Sequence, residues 1–288
     1  MSLDALILVV TGALIHALWN FFSKKASGGP LFVWLYGLVS LAVAAPAGVL
    51  AWLHGPRPAG FALPAAALAS AVLHLVYSLV LQQGYRLCDF SVVYPLARGT
   101  GPLFSVIGAI LLIGETPSIK GWIGIGAILV GILTIAGGRS LVGLGSDRSP
   151  KGVGWGILTG LFVAAYTVVD GWAVKVLGLP PVLFYVCGLA LRTALLAPAA
   201  LRRPQELREQ WRRNRRYILA VGALSPLAYT LVLFAMARAP LSYVAPAREL
   251  SMMIGMLLGA QLLREQDVGA RMAGTALMVA GVVMLALA

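Results

Sequence analysis

The stretch PLARGTGPLFSVIGAILLIGETPSIKGWIGIGAILVG, residues 95–131, has a second copy in this chain. Shifted by 150 positions, residues 245–281 read APARELSMMIGMLLGAQLLREQDVGARMAGTALMVAG. Arg98 falls on Arg248, Glu115 on Glu265, Gly124 on Gly274 and Gly131 on Gly281. Each copy is an apolar span entered past a proline, with an early Arg and a closing Glu, followed by a span of spaced glycines. Matched polar punctuation inside matched apolar spans is the mark of an internal repeat.

Composition names the solvent. Of 288 residues, 60% are hydrophobic and only 11% charged, and the mean hydropathy is +0.89. A soluble domain carries roughly 25% charged residues to cover its surface, so here the bilayer must take water's place. No basic segment precedes the first apolar run, MSLDALILVV, and no small-residue cleavage site follows it. It reads as a retained helix rather than a removed signal peptide.

The net charge of +12 does not point to nucleic acid, because the basic residues gather at span ends and in loops. Cys88 and Cys187 belong to no motif and read as small buried hydrophobes. Three scattered histidines without Cys/His spacing give a metal site no support, and no cofactor motif is present.

A spanning helix needs about 20 mostly apolar residues. Ten such runs are legible, at about 3–23, 30–53, 61–85, 90–113, 119–137, 152–173, 181–201, 216–237, 241–263 and 267–287. The one Gly/Ser-rich connection falls near the middle, so residues 1–137 form a first repeat, 138–151 a linker and 152–288 a second repeat. A duplicated unit with five spans must enter the membrane the second time from the opposite face. The fold expected is an all-α membrane protein of ten transmembrane helices, arranged as two inverted five-helix repeats.

Orientation follows from Lys and Arg outside the spans. Fifteen lie in odd-numbered loops and only Arg57, Lys120, Lys175 and Arg238 in even ones. That bias places the odd loops in the cytoplasm and both termini outside. The seventh loop, RRPQELREQWRRNRRY, dominates the count.

Arg98, Asp170, Arg192, Arg248 and Glu249 sit inside spans. Each costs roughly 2.5–3.5 kcal/mol at a helix centre on insertion scales, so each must face the bundle interior and find a partner there. Arg248 and Glu249 are adjacent, and helix neighbours point about 100° apart, so they should not neutralise each other side by side. Asp170 or substrate is expected beside Arg248, and Arg98 or Arg192 beside Glu249. Glu115 and Glu265, at span ends, read as solvated caps.

Polar and aromatic residues share helical faces with these charges. Gly12, His16, Trp19 and Asn20 form one stripe, and His74, Tyr77 and Ser78 another. Tyr94 lies on a face with Arg98, Tyr166 with Asp170, and Ser225 with Tyr229. Pro95, Pro226 and Pro246 each remove a backbone donor nearby, a break tolerated where backbone lines a cavity. A single Tyr or Trp is more often core filler, but the recurrence on six spans argues for one central cavity. By contrast, the glycines of the fifth and tenth spans make smooth faces suited to close helix packing, for the scaffold or for a dimer surface.

Taken together, HALWNFFSKKA, AYTVVDG and the duplicated VYPLARG…LLIGE and VAPAREL…LLREQ resemble the drug/metabolite transporter superfamily, in its ten-helix EamA-type members. The resemblance covers nearly the whole chain. It implies secondary transport, usually export, of a small metabolite such as an amino acid across a bacterial inner membrane. The route would be a cavity between two five-helix domains. It also implies that Trp19, Asn20, Tyr94, Arg98, Tyr166, Asp170, Arg248 and Glu249 are cavity positions. His16, Tyr77, Arg192 and Tyr229 join them on the residue reading, which completes the expected substrate-binding set.

Two departures stand beside the resemblance. Four-helix multidrug relatives exchange drug for protons on a Glu in their first helix, whereas the first span here offers His16, Trp19 and Asn20. Ten-helix relatives are often drawn with both termini in the cytoplasm, against the Lys/Arg count. The expected partners are a small-molecule substrate, the lipid bilayer and protons as coupling ion, with a homodimer left open and no nucleic acid. Arg presents a planar fork to carboxylates and phosphates, so an anionic or amphipathic substrate meeting Arg248 is expected, with Glu249 or Asp170 sensing protons. The rival class is an integral-membrane enzyme acting on a lipid or phosphate ester. The chain shows no GxSxG, no HExxH and no paired carboxylates at helical spacing within a span, so a non-enzyme is expected.

Overall fold

A computed structural model describes residues 1–26, 29–56, 58, 60–88, 90–142, 150–253 and 268–288. The described chain is helical throughout, without a strand. Its helices are α1 (Leu3–Ala26), α2 (Pro30–His54), α3 (Ala62–Leu87), α4 (Phe90–Ile113) and α5 (Ile119–Val142). The second half follows with α6 (Pro150–Lys175), α7 (Pro181–Leu201), α8 (Pro204–Arg238), α9 (Leu241–Ala247) and α10 (Val268–Ala286). Seven of them are long and apolar enough to cross a membrane, and Ile119–Ile135 and Met272–Ala286 are shorter apolar helices. Half of the linker (143–149), Arg57, Glu265 and the second half of the expected ninth span lie outside the described residues.

Local chemistry sets the starts and ends. Prolines open α2, α6, α7 and α8 at the first helical position, where a missing N–H costs nothing. Gly114, at φ +78°, ends α4 in a left-handed turn that residues with a Cβ avoid. That turn delivers Glu115 to the second half of the molecule.

The expected seventh loop is not a loop. Residues 204–215 are helical and continuous with the eighth span, giving a helix of 35 residues. At 1.5 Å per residue this exceeds a hydrocarbon core of about 30 Å, so its arginine-rich first turns project past the apolar layer. Strong helix formers after Pro204 explain the extension.

The inverted repeat is visible in the packing. α2 packs on α7, α4 on α9 and α5 on α10, each helix against its own counterpart, while α3 on α6 answers to α8 on α1. The α5–α10 contact gives the register. A Cβ at Gly124 would stand 2.8 Å from the Gly281 carbonyl oxygen, and one at Gly131 would stand 2.7 Å from that of Gly274. Applying the 150-residue shift to either pair returns the other, as a two-fold axis in the membrane plane requires. These faces are therefore occupied by packing within the chain, in the scaffold role.

The symmetry is not complete. α8 packs against both α6 and α7, whereas the equivalent contacts of α3 with α1 and α2 are marginal at most among the described residues. Among the described residues α6–α8 are thus drawn more closely together than α1–α3.

Candidate functional site

One cavity of about 230 Å³ lies between the halves, walled by α1–α4 and by α6–α8 with the residues following α9. All twelve residues of the expected set line it: His16, Trp19, Asn20, Tyr77, Tyr94, Arg98, Tyr166, Asp170, Arg192, Tyr229, Arg248 and Glu249. Tyr36, Ser70, Tyr85 and Tyr185 line it too, and the sequence reading passed over them. Helical spacing was a usable signal for two: Ser70 is one turn before His74, and Tyr185 is two turns before Arg192.

α9 is built around its break. Pro246 cannot donate a helical hydrogen bond, and the chain passes through two turn residues, Arg248 and Glu249, before helix resumes at Leu250. Glu249 N–H donates to Pro246 O at 3.0 Å, and Met252 N–H donates to Glu249 O at 2.9 Å. Both are tighter i→i−3 closures. The interruption places two adjacent charged side chains in the middle of the bundle. It also corrects the expectation about them: Arg248 Nε comes within 4.0 Å of Glu249 Oε1, because regular 100° spacing does not hold across the break.

Glu249 takes its principal partner from the other half, Arg98 Nη1 at 3.0 Å from Oε2. Arg248 turns instead to Tyr166, whose hydroxyl stands 3.5 Å from Nη2 and whose ring lies 6.0 Å from the guanidinium carbon.

Asp170 is fully buried, and its partner is not Arg248. The Tyr229 hydroxyl donates to Oδ2, and His74 Nε2 lies 4.0 Å from the same oxygen. His74 Nδ1 is 2.9 Å from the Ser70 carbonyl. A carbonyl only accepts, so the ring N–H sits on Nδ1 and the Nε2 lone pair faces Asp170. Oδ1 has no hydrogen-bond partner among the described residues. One carboxylate and one imidazole nitrogen therefore share room for a single proton. The His74 ring stacks on Tyr166, centroids 4.0 Å apart, which fixes its plane.

The cavity wall reaches the α3–α4 turn at Tyr85 and Tyr94, on the odd-loop side. The opposite side holds a polar cluster around Glu115, which is not the solvated cap its place at a span end suggests. Its side chain is only 8% exposed. Oε1 accepts from Lys175 Nζ at 2.6 Å and from Leu241 N–H at 2.7 Å. Oε2 accepts from Ser242 N–H at 2.9 Å and from its hydroxyl at 2.7 Å. Lys175 Nζ also donates to Ala239 O at 3.1 Å.

An anion facing the first amides of a helix is favoured by their dipoles. Burial pushes the Glu115 carboxyl up, but the Lys175, Ser242 and Leu241 bonds outweigh it and hold the group below its ordinary range. Beside it, Ser118 N–H donates to the Tyr243 hydroxyl at 3.1 Å. Lys25, 150 residues before Lys175, is exposed on the other face with Nζ 4.5 Å from the centre of the Phe21 ring. The Glu115 cluster ties the even-loop side together, and among the described residues Lys25 makes no such bonds on the other side.

The model of the EamA-like transporter family matches this chain twice, over residues 3–137 and 150–287. The chain belongs to that family. It is thereby an EamA-type member of the drug/metabolite transporter superfamily, a multi-pass membrane protein of a transporter fold. A comparison with curated protein sequences finds no match. One solved structure, described only as a crystal structure of a protein, superposes at TM-score 0.75 with 18% identity over 98% of each chain. At that identity the likeness speaks for the fold alone.

Proposed function

We propose that this EamA-family protein is a secondary transporter that exports a small anionic or amphipathic metabolite across the bacterial inner membrane by alternating access. The observation that carries the reading is the inequality of two inverted repeats around one cavity. α6–α8 are drawn together and sealed through Glu115, while their counterparts α1–α3 stand apart. If the two halves exchanged conformations, the cavity would close on the odd-loop side and open on the other. With odd loops in the cytoplasm, as the Lys/Arg bias favours, the state described is the one that loads from within.

Aromatic walls suit an apolar body, and His74 with Asp170 is the group suited to carry a coupling proton. A buried ionisable pair inside a membrane bundle is a functional feature by default. The test compares metabolite-wide uptake and efflux in membrane vesicles with and without the protein. A small metabolite that moves chemically unchanged supports transport. A modified product recovered from the lumen would instead support the membrane-enzyme alternative.

A further inference from the structure

The charges lining the cavity do not balance. Arg98, Arg192 and Arg248 face Asp170 and Glu249, three positive against two negative, so one positive charge is left over. Which guanidinium carries the excess follows from the contacts. Arg98 is bound to Glu249 at 3.0 Å. Arg248 lies against Glu249 and Tyr166 and is buried. Arg192 makes no ion pair or side-chain hydrogen bond with any described residue, and it is only half-buried.

Arg192 sits on a tethered stretch of the cavity wall. Trp34 Nε1 donates to the Thr193 carbonyl at 3.1 Å, which ties α7 to α2 beside it. One turn earlier on α7, Gly188 also lines the cavity. A Cβ there would meet nothing closer than the Ala67 carbonyl oxygen at 3.7 Å. Packing does not demand a glycine at that position, one turn from Arg192 on the same helix face. Asp170, His74, Tyr36 and Tyr185 all lie within electrostatic reach of Arg192.

We propose that Arg192 is the anion anchor of the cavity, and that the solute is a metabolite-sized monocarboxylate on an apolar or aromatic body. This deepens the transport reading and rests on it. Arg192 replaces Arg248 as the anchor because Arg248 is already committed to Glu249 and Tyr166. A guanidinium fork binds a carboxylate through two parallel hydrogen bonds. With no proton on the His74–Asp170 pair, one excess positive charge is neutralised by one carboxylate, whereas a phosphate monoester, at about −1.5 to −2 near pH 7, would leave the cavity negative. The space of about 230 Å³ is below the roughly 300–1,000 Å³ of pockets that take drug-sized ligands.

The test uses the full chain in lipid nanodiscs with three probes of one shape: phenylacetate, phenylacetamide and phenethylamine. Phenylacetate should bind saturably and more tightly than the other two. Arg192→Gln should weaken phenylacetate by about tenfold to a hundredfold and phenylacetamide by much less, and Arg192→Lys should recover part of the loss. Gly188→Leu should weaken phenylacetate while preserving the preference for charge.

Equal binding of the three probes, absence of saturable phenylacetate binding, or an unchanged Arg192→Gln would each overturn the anchor. Parallel flux measurements in proteoliposomes separate the two readings. Movement of the amine or amide without the carboxylate would sink the anion assignment and leave transport standing. Arg192-dependent phenylacetate binding with no flux of any solute would leave the site and remove the transport reading.

Discussion

Glu249 Oε2 stands 3.0 Å from Arg98 Nη1 and joins the break after α9 to α4, a contact between the two halves made in the middle of the cavity. The Glu249 carboxylate is almost wholly buried and the Arg98 guanidinium less so. Removing one partner of such a pair leaves an uncompensated charge, while removing both does not. Glu249→Gln and Arg98→Gln should each destabilise the protein, by on the order of 3 kcal/mol for the variant that strands the buried carboxylate. The double variant should recover much of that loss. Denaturation of the four proteins in a double-mutant cycle measures the coupling, and strictly additive losses would contradict the pairing.

Gly131 and Gly126 make a matched pair of controls on the scaffold. A Cβ at Gly131 would lie 2.7 Å from the Gly274 oxygen, whereas at Gly126 nothing lies within 4 Å. Gly131→Ala should therefore lower stability by about 1–3 kcal/mol, as overpacking does, and Gly126→Ala should be close to neutral. Thermal denaturation of the two variants reads the contrast. Equal melting temperatures would mean that α5 and α10 do not meet through these glycines.

Glu115 gives a prediction with a definite sign. Its carboxyl is held below the ordinary value, so the seal contributes fully above the ordinary Glu pKa of about 4.3. That contribution is lost as pH falls through the lowered value. Glu115→Gln should lower stability by on the order of 2 kcal/mol, equally at pH 8 and pH 5, and the gap should shrink on further acidification. The shape of the transport profile between pH 5 and pH 8 should be unaffected by this variant, whereas Asp170→Asn, which removes the carboxylate facing His74, should flatten it. A Glu115→Gln gap that changes between pH 8 and pH 5 would contradict the seal as described.

Much of this was legible in the sequence, and the reasons are local. The repeat shows because Arg98 and Arg248 recur at one spacing with their glycines, and the spans show because a bilayer demands their length. Most of the cavity residues came together because they lie on polar stripes of their own helices, and a polar stripe in a membrane bundle has to turn inward. What escaped depends on contacts between distant parts of the chain. The partners of Glu115 lie on Lys175, Leu241 and Ser242, and no pattern around Glu115 announces them. The approach of Arg248 to Glu249 needed the turn after Pro246, and a proline alone does not say whether a helix bends or breaks. Tyr36 has only Ser40 as a polar neighbour on its face, too little to tell it from core.

Sidedness is open to a direct test. The basic first turns of α8 carry Arg208, Arg212, Arg213, Arg215 and Arg216 and are exposed apart from the helix's inner face. Gln205→Cys, in a variant without Cys88 and Cys187, should resist a membrane-impermeant maleimide applied to intact cells and react once the cells are opened. A reporter active only in the periplasm should work when fused after Ala288. Labelling of Gln205→Cys from outside would reverse the orientation.

The central claim is that one cavity is sealed alternately by the two halves, and locking the sealed side tests it most directly. Ser118 and Tyr243 meet there, with the Ser118 amide 3.1 Å from the Tyr243 hydroxyl. Ser118→Cys with Tyr243→Cys, in the cysteine-free background, can be joined by a short thiol crosslinker that a reductant cleaves. The measurement is uptake of a bacterial metabolite extract into proteoliposomes, read by mass spectrometry before crosslinking, after it and after cleavage. The account predicts that at least one small metabolite enters unchanged, stops when the seal is locked, and enters again on cleavage. Entry that continues through a fully crosslinked protein would contradict it.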